Sequence, residues 1–146
     1  MIINFDEKQM KMSDATLNSA IEIHDSVLAS LEVEGRQVKI ALRPAYIHKS
    51  SGVPGVDPGT GWVQDVILSI EAGSIDGVIS EFPRDLSDGT LEINGRIERN
   101  VVPLPLNQGG NIVLKLETSG AEKIMISGAQ ISAQLIGKAE YIEEFE

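Results

Sequence analysis

His48 is one of two histidines in a chain of 146 residues, and it follows Tyr46 by two positions. The pair opens the segment Ala45-Tyr46-Ile47-His48-Lys49-Ser50-Ser51-Gly52-Val53-Pro54-Gly55-Val56-Asp57-Pro58-Gly59-Thr60-Gly61-Trp62, which is rich in Gly and Pro. Three chemistries could use these residue types. His48 could act as a general base oriented by Asp25, with Ser50 or Ser51 as nucleophile. That requires the hydroxyl proton within hydrogen-bond reach of one ring nitrogen and a carboxylate on the other. His24 and His48 could bind a metal with Asp25, Asp57 or Asp65, although the histidines lack the spacing of a local ligand pair. Tyr46 and Trp62 could offer flat faces to a ligand, with loop N–H groups as donors. The same four residues, Asp25, Tyr46, His48 and Trp62, also have a purely structural reading, as anchors and a satisfied polar pair that hold the loop.

The elements that must position these groups read as β-strands. Val27, Ala29, Leu31 and Val33 alternate with polar residues, Gly35-Arg36 forms a two-residue turn with Gly first, and Val38, Ile40 and Leu42 follow. Pairing Glu34 with Gln37 sets Val33 against Val38, Leu31 against Ile40, Ala29 against Leu42 and Glu32 against Lys39. Apolar meets apolar and charge meets opposite charge. Extending the register places Asp25 opposite Tyr46 and Ile23 opposite His48, on the core face unless a bulge intervenes near Pro44. Asp25, Tyr46 and His48 are then expected to cluster where a long loop, 46–62, leaves the hairpin, with Trp62 returning nearby.

Further strands are expected at 62–72, 75–80, 90–98, 112–117, 122–127 and 130–141, with turns at 87–89, 119–121 and 128–129. The pairings Leu116 with Ile124, Leu114 with Ile126 and Ile126 with Ile131 would make a meander. Val101-Val102-Pro103-Leu104-Pro105-Leu106 cannot be a central strand, because its prolines lack ladder donors. Gln108-Gly109-Gly110-Asn111 reads as a turn. Gly55 to Gly61 is not a phosphate loop, lacking the Gly-Lys-Ser/Thr ending. Leu17, Ala20, Ile21 and His24 fall at helical spacing, which predicts a short N-terminal helix over 14–24, while Ile21-Glu22-Ile23 argues that its end is already strand. The expectation is an all-β single domain spanning 1–146, an antiparallel β-sandwich or flattened barrel of about eight strands. Residues 1–12, with Phe5 as a candidate anchor, and the acidic tail 142–146 are expected to fray.

Composition narrows the function. The net charge is -10, which disfavours a nucleic-acid partner and favours solubility or a basic protein partner. The absence of cysteine removes thiolate chemistry and suits a reducing, cytoplasmic setting. No segment has the length of a membrane span or the pattern of a secretory leader. No cofactor is expected.

His24-Asp25-Ser26-Val27-Leu28, opening a β-hairpin, is similar to the start of small bacterial β-rich domains, among them immunity proteins that neutralise toxins. Ala45-Tyr46-Ile47-His48 through Gly61-Trp62-Val63-Gln64, with Leu104-Pro105-Leu106 and Tyr141-Ile142-Glu143-Glu144-Phe145, resembles an uncharacterised family of bacterial hypothetical proteins over about residues 23–145. The second resemblance implies no activity. The first implies a basic toxin as partner. The reading that combines these points is a non-enzymatic binding protein for a small ligand or a protein, using the 46–62 loop and the adjacent hairpin end. The alternatives are an immunity protein and a metal-dependent or His/Asp-assisted hydrolase. An open sheet edge would permit homo-oligomerisation.

Overall fold

The computed structural model describes residues 17–145. Short alternating apolar runs give the strands β1 (Asn18–Glu22), β2 (Val27–Glu34), β3 (Gln37–Ser50), β4 (Gly59–Glu71), β5 (Ser74–Gly77), β6 (Arg84–Ile93), β7 (Arg96–Arg99), β8 (Val101–Leu104), β9 (Asn107–Thr118) and β10 (Lys123–Phe145). Hydrogen bonding orders them β2-β6-β9-β10-β4-β3-β1-β8, and β2 pairs β3 as well. That second pairing closes β2, β6, β9, β10, β4 and β3 into a flattened antiparallel barrel, with β1 and β8 added outside it on β3. Closure removes most free strand edges. The β2–β6 seam is thin, held by Val27 opposite Asp85 and Leu28 opposite Arg84.

The core is aliphatic. Leu28, Ile40, Leu68, Ile70, Leu91, Ile112, Leu114, Ile126 and Ile131 are all fully buried. On β4 the buried positions are Val66, Leu68 and Ile70, every second residue, as a half-buried strand requires.

The β2–β3 turn has the expected register. Val33 faces Val38, Leu31 faces Ile40, Glu32 faces Lys39, and Gly35 has a φ of 61°. The expected register holds through Ser30 opposite Ala41 and fails at the next pair, Ala29 with Leu42. A bulge lies between Leu28 and Ser30, so Leu28 rather than Ala29 faces Leu42. Leu28 is fully buried and Ala29 only half-buried, which is why the larger side chain takes the core position.

Other turn signals also resolve as bulges inside longer strands. Gly128-Ala129 interrupts the ladder within one continuous β10, so Ile126 does not face Ile131: Ile126 pairs with Leu114 and Ile75, and Ile131 with Ile70 and Gln108. Ser87-Asp88-Gly89 lies at an irregularity within β6, and Gln108 to Asn111 belongs to β9. The expected strand over 90–98 is divided by Asn94-Gly95 into β6 and β7. Val101–Leu104 is a strand, but an edge strand, as its prolines require.

The expected helix is replaced over the described residues by β1 and a 3-10 turn, Ile23–Asp25. Ladders to β3 on one side and β8 on the other satisfy the backbone of Asn18–Glu22, and tertiary pairing overrides the helical spacing. The residues expected to fray at the C-terminus are part of β10 up to Phe145, which pairs with Gly59. Phe5, the segment 1–12 and residues 14–16 lie outside the described residues.

Candidate functional site

The site is organised by a bulge in β3. Leu42 pairs with Val66 and Ala45 with Gln64, so Arg43-Pro44 carries one residue more than the facing stretch of β4. Before the bulge Val38, Ile40 and Leu42 point into the core. After it Ala45 and Ile47 do so. Tyr46 and His48 therefore face the outside of the barrel, contrary to the core-side placement the uninterrupted register predicts. Both are nevertheless buried, His48 to 4% exposure, because β1, the end of β10 and the connection after β3 cover them.

That connection is shorter than the sequence suggests. β3 continues through Ser50 and β4 starts at Gly59, leaving a loop of residues 51–58. Tyr46, His48 and Trp62 are strand residues. The reason is pairing: Ala20, Ile21 and Glu22 face His48, Ile47 and Tyr46 across one ladder. The partner opposite Tyr46 is thus Glu22, and not Asp25. Asp25 leaves the ladder in the 3-10 turn, is half exposed, and lies 3.0 Å from His24 Nε2. His24 Nδ1 in turn contacts Asn100 Nδ2.

Trp62 belongs to the other face. It stands opposite Ile47 and Tyr141, on the core side, where it packs against the core cluster. Its Nε1 donates to Thr60 Oγ1 at 2.8 Å, the Tyr141 ring meets it edge-on at 5.4 Å, and Lys49 Nζ lies 4.5 Å from its centroid. The structure therefore brings together Tyr46 and His48, leaves Trp62 on the other face, and connects Asp25 to them only through Glu22.

The polar groups on the outer face are engaged by their own surroundings. His48 Nδ1 accepts the Gly55 N–H at 2.5 Å and lies 3.4 Å from Glu22 Oε1. Accepting that bond leaves the proton of the neutral ring on Nε2, which is buried and has no hydrogen-bond partner among the described residues, with the centroid of the Phe145 ring 4.8 Å from that of His48. The Tyr46 hydroxyl donates to Glu143 Oε2 at 2.8 Å, and the Tyr46 N–H donates to Ser26 Oγ at 2.9 Å. Gly61 lies under the phenol: a Cβ there would stand 1.9 Å from the Tyr46 hydroxyl, so only glycine leaves room for the ring. Burial first, and the Glu143 carboxylate second, push the Tyr46 phenol above its ordinary range. Burial, then a hydrogen bond with Asp25, push the Glu22 carboxyl up as well.

These contacts decide what chemistry is available. The hydrolase arrangement needs a free hydroxyl near His48, but the buried Ser50 hydroxyl donates to Pro58 O at 2.7 Å and accepts from Gly52 N at 3.0 Å. Of the carboxylates considered as metal ligands, Asp57 accepts from Val53 N at 2.6 Å, and Asp65 lies about 13 Å along β4 from Gly61, the residue opposite His48. Glu22, His24 and Asp25 do come together, with one ligand atom of each within 4.8 Å of the others. A separate groove of about 410 Å³ runs over β5, β6, β9 and β10, lined by Asp76, Asp88, Lys115, Glu117, Lys123 and Met125, and shares no residue with this site.

Glu22, Glu143 and Gly55 are the partners that sequence reasoning missed. Glu22 had a visible signal, a carboxylate set between Ile21 and Ile23 in an alternating run, which marks a polar group on the face opposite the core. Glu143 and Gly55 had none, because their contacts join distant segments. No helix among the described residues is long and apolar enough to cross a membrane. Comparison with protein-family models, with curated proteins and with solved structures finds no match for this chain.

Proposed function

We propose that the protein is a non-enzymatic interaction protein acting in the cytoplasm, whose contact surface is the 46–62 region and the adjoining strand end. The 51–58 loop and the C-terminal half of β10 carry most of that surface. The observation that carries this reading is where large apolar side chains are exposed. Of the ten such residues among the described ones, Val53 and Val56 lie on the loop, and Leu135, Ile136, Tyr141 and Ile142 lie on β10. Beyond Ala133, whose N–H donates to Leu106 O, β10 has β4 on one side only among the described residues, and Phe145 at its end pairs with Gly59 where the loop closes. Val53, Val56, Tyr141 and Ile142 lie toward the end of the barrel where Phe145 meets Gly59, and Leu135 and Ile136 lie further along β10, opposite Val66 and Asp65. Exposed apolar side chains on a loop and along a strand favour a protein partner. The net charge of -10 favours a basic one, which is also what the likeness to immunity proteins implies.

Photo-crosslinking tests this reading. A crosslinking side chain at Val56 or Ile142, in cells that carry the protein at its natural level, should yield one discrete protein adduct. The same group at Arg36, in the turn at the far end of the hairpin, should yield none. Equal adducts at all three positions, or none at any, would overturn the proposal.

A second reading, metal-assisted chemistry, has one observation in its favour, the Glu22, His24 and Asp25 group. Elemental analysis of purified protein addresses it. Stoichiometric metal that disappears in His24→Ala would favour it, and metal-free protein purified without chelator would remove it.

A further inference from the structure

β9 accompanies β10 only as far as Ala133, whose N–H donates to Leu106 O at 2.9 Å. The chain before Leu106 does not continue along β10, because Val101–Leu104 is drawn away to pair with β1. From Gln134 to Phe145, β10 therefore has a single neighbour among the described residues, β4. Ala133 and Leu135 are two apart in an unbroken part of the β10–β4 ladder, so their N–H and C=O groups point to the same side. That side is away from β4. Leu135 thus offers a donor and an acceptor at an open edge, a template on which another strand can build.

We propose that this edge takes up an extended segment of a partner protein by strand addition, and that the segment alternates apolar and basic residues. The inference rests on the contact surface proposed above and states how that surface is used. The side chains along the edge set the alternation. Leu135 shares its parity with the buried Ile131, and Tyr141 stands opposite Trp62, so exposed apolar groups line the core side. Glu140 lies opposite Val63, and Val63 opposite Tyr46, which puts the carboxylate on the outer side. Glu143 is on that side too, bonded to Tyr46. An added strand therefore meets apolar side chains on one face and carboxylates on the other. Aliphatic residues on the first face and Lys or Arg on the second match both. The exposed Ile136, on the outer side, gives the stems of those basic residues an apolar surface to lie on.

Two features restrict what can dock. Ile136 stands opposite Asp65 and Glu140 opposite Val63, so Gly137-Lys138-Ala139 bulges out of the ladder and divides the edge into 134–136 and 140–145. The bulge is anchored, since the Gly137 C=O accepts from Gln64 Nε2 at 2.9 Å. A smaller irregularity follows between Tyr141 and Glu143. Bulges and an edge lysine discourage indiscriminate pairing. Charge is the second restriction. Another copy of the chain would bring a further net charge of -10 to an edge that already carries Glu140, Glu143 and Glu144. A basic segment offsets that charge, which selects a foreign strand over a second copy.

The test is amide exchange, followed by nuclear magnetic resonance on the isotope-labelled full chain. The probes are an acetylated and amidated peptide Lys-Ile-Lys-Ile-Lys-Ile-Lys and its counterpart with Glu in place of Lys. In the free protein the Leu135 amide should exchange almost as fast as in an unstructured chain, while the amides of Leu68 and Ile70 stay protected. The Lys peptide should slow Leu135 about tenfold or more, and the Glu peptide should not. Leu135→Pro removes the outward donor and Leu135→Ala keeps it, so affinity for the Lys peptide should fall about tenfold further in the first. A Leu135 amide already protected in the free protein would overturn the proposal, because another part of the chain or a second copy then holds the edge. So would protection by neither peptide, equal protection by both, or equal losses in the two variants. If Leu135→Pro does not fold, the exchange of the native chain decides alone. A discrete crosslink at Ile142 with no peptide protection of Leu135 would remove strand addition and leave the contact surface standing. Protection of Leu135 with no crosslink would do the reverse.

Discussion

The two halves of β3 are built from the same alternation and do different work. Val38, Ile40 and Leu42 send every even-numbered side chain into the core, and their neighbours meet β2 and β4 in a simple hairpin register. After Arg43-Pro44 the parity reverses: Ala45 and Ile47 are core residues, while Tyr46 and His48 are turned outward. The first half is stabilised by aliphatic burial and needs no further cover. The second half buries a phenol and an imidazole, so each polar atom requires a partner from elsewhere in the chain. Glu143, Ser26, Gly55 and Glu22 supply most of these. A single extra residue thus converts a plain core strand into one that recruits a loop, an edge strand and the tail of β10.

The most direct way to break the comparison is to delete Arg43. Deletion restores one parity along the whole of β3 and drives Tyr46 and His48 toward the core. Denaturant unfolding should show a loss of about 4 kcal/mol or more, or no cooperative transition at all. A stable, native-like product would mean that the bulge does not set the parity.

Next in size are truncations on the two sides of the bulge. Ile40→Ala and Ile47→Ala both remove fully or almost fully buried side chains and should each cost about 2–5 kcal/mol. Equal costs would confirm that both halves share one core, whereas a negligible cost at Ile47 would detach the second half from it. Trp62→Ala, removing a partly buried ring packed on the same core, should fall at or below the lower end of the ~3–5 kcal/mol typical of buried tryptophan.

Tyr46→Phe sharpens the comparison on the outer face. It removes the donor to Glu143 while keeping the ring over Gly61, and should cost about 0.5–1.5 kcal/mol. Hydrogen exchange should rise selectively in the last residues of β10. An unchanged tail would show that the phenol does not hold it.

The smallest effect concerns pH. Burial raises the folded-state affinity of Glu22 for its proton above that of the unfolded chain. The corresponding stability is fully present below the unfolded value of 4.5 and is lost as pH rises through the higher folded value. Glu22→Gln mimics the protonated form. It should be more stable than the native protein at pH 7–8, and the gap should close on acidification below about pH 4.5. A gap that is constant with pH would remove the titration of Glu22 as its cause.

Much of the fold was legible in the chain. Apolar alternation identified most strands, the Gly35-Arg36 turn and the opposite charges of Glu32 and Lys39 specified the first hairpin, and Leu114, Leu116, Ile124 and Ile126 specified the β9–β10 pairing. The all-β antiparallel class follows from these, because connections so short exclude parallel crossovers. What misled was the shared vocabulary of turns and bulges. Gly128-Ala129, Ser87-Asp88-Gly89 and Gln108 to Asn111 have turn composition, yet they sit inside strands whose neighbours keep the ladder going. Glycine permits a bulge for the same reason that it permits a turn, and local sequence does not tell them apart.

The candidate site divides along the same line. Which residues could do chemistry, and that Tyr46 and His48 share one side of a strand, was determined by residue type and the period of two. Which side that is, and who answers them, was decided by tertiary structure. The bulge at Pro44 moved both to the outer face, β1 put Glu22 where Asp25 was expected, and the same parity left Trp62 on the core side. The physical reason is that side-chain direction along a strand is a parity, which one extra residue reverses. Parity can be counted from sequence only where the ladder is unbroken, and the ladder is a property of strands far apart in the chain.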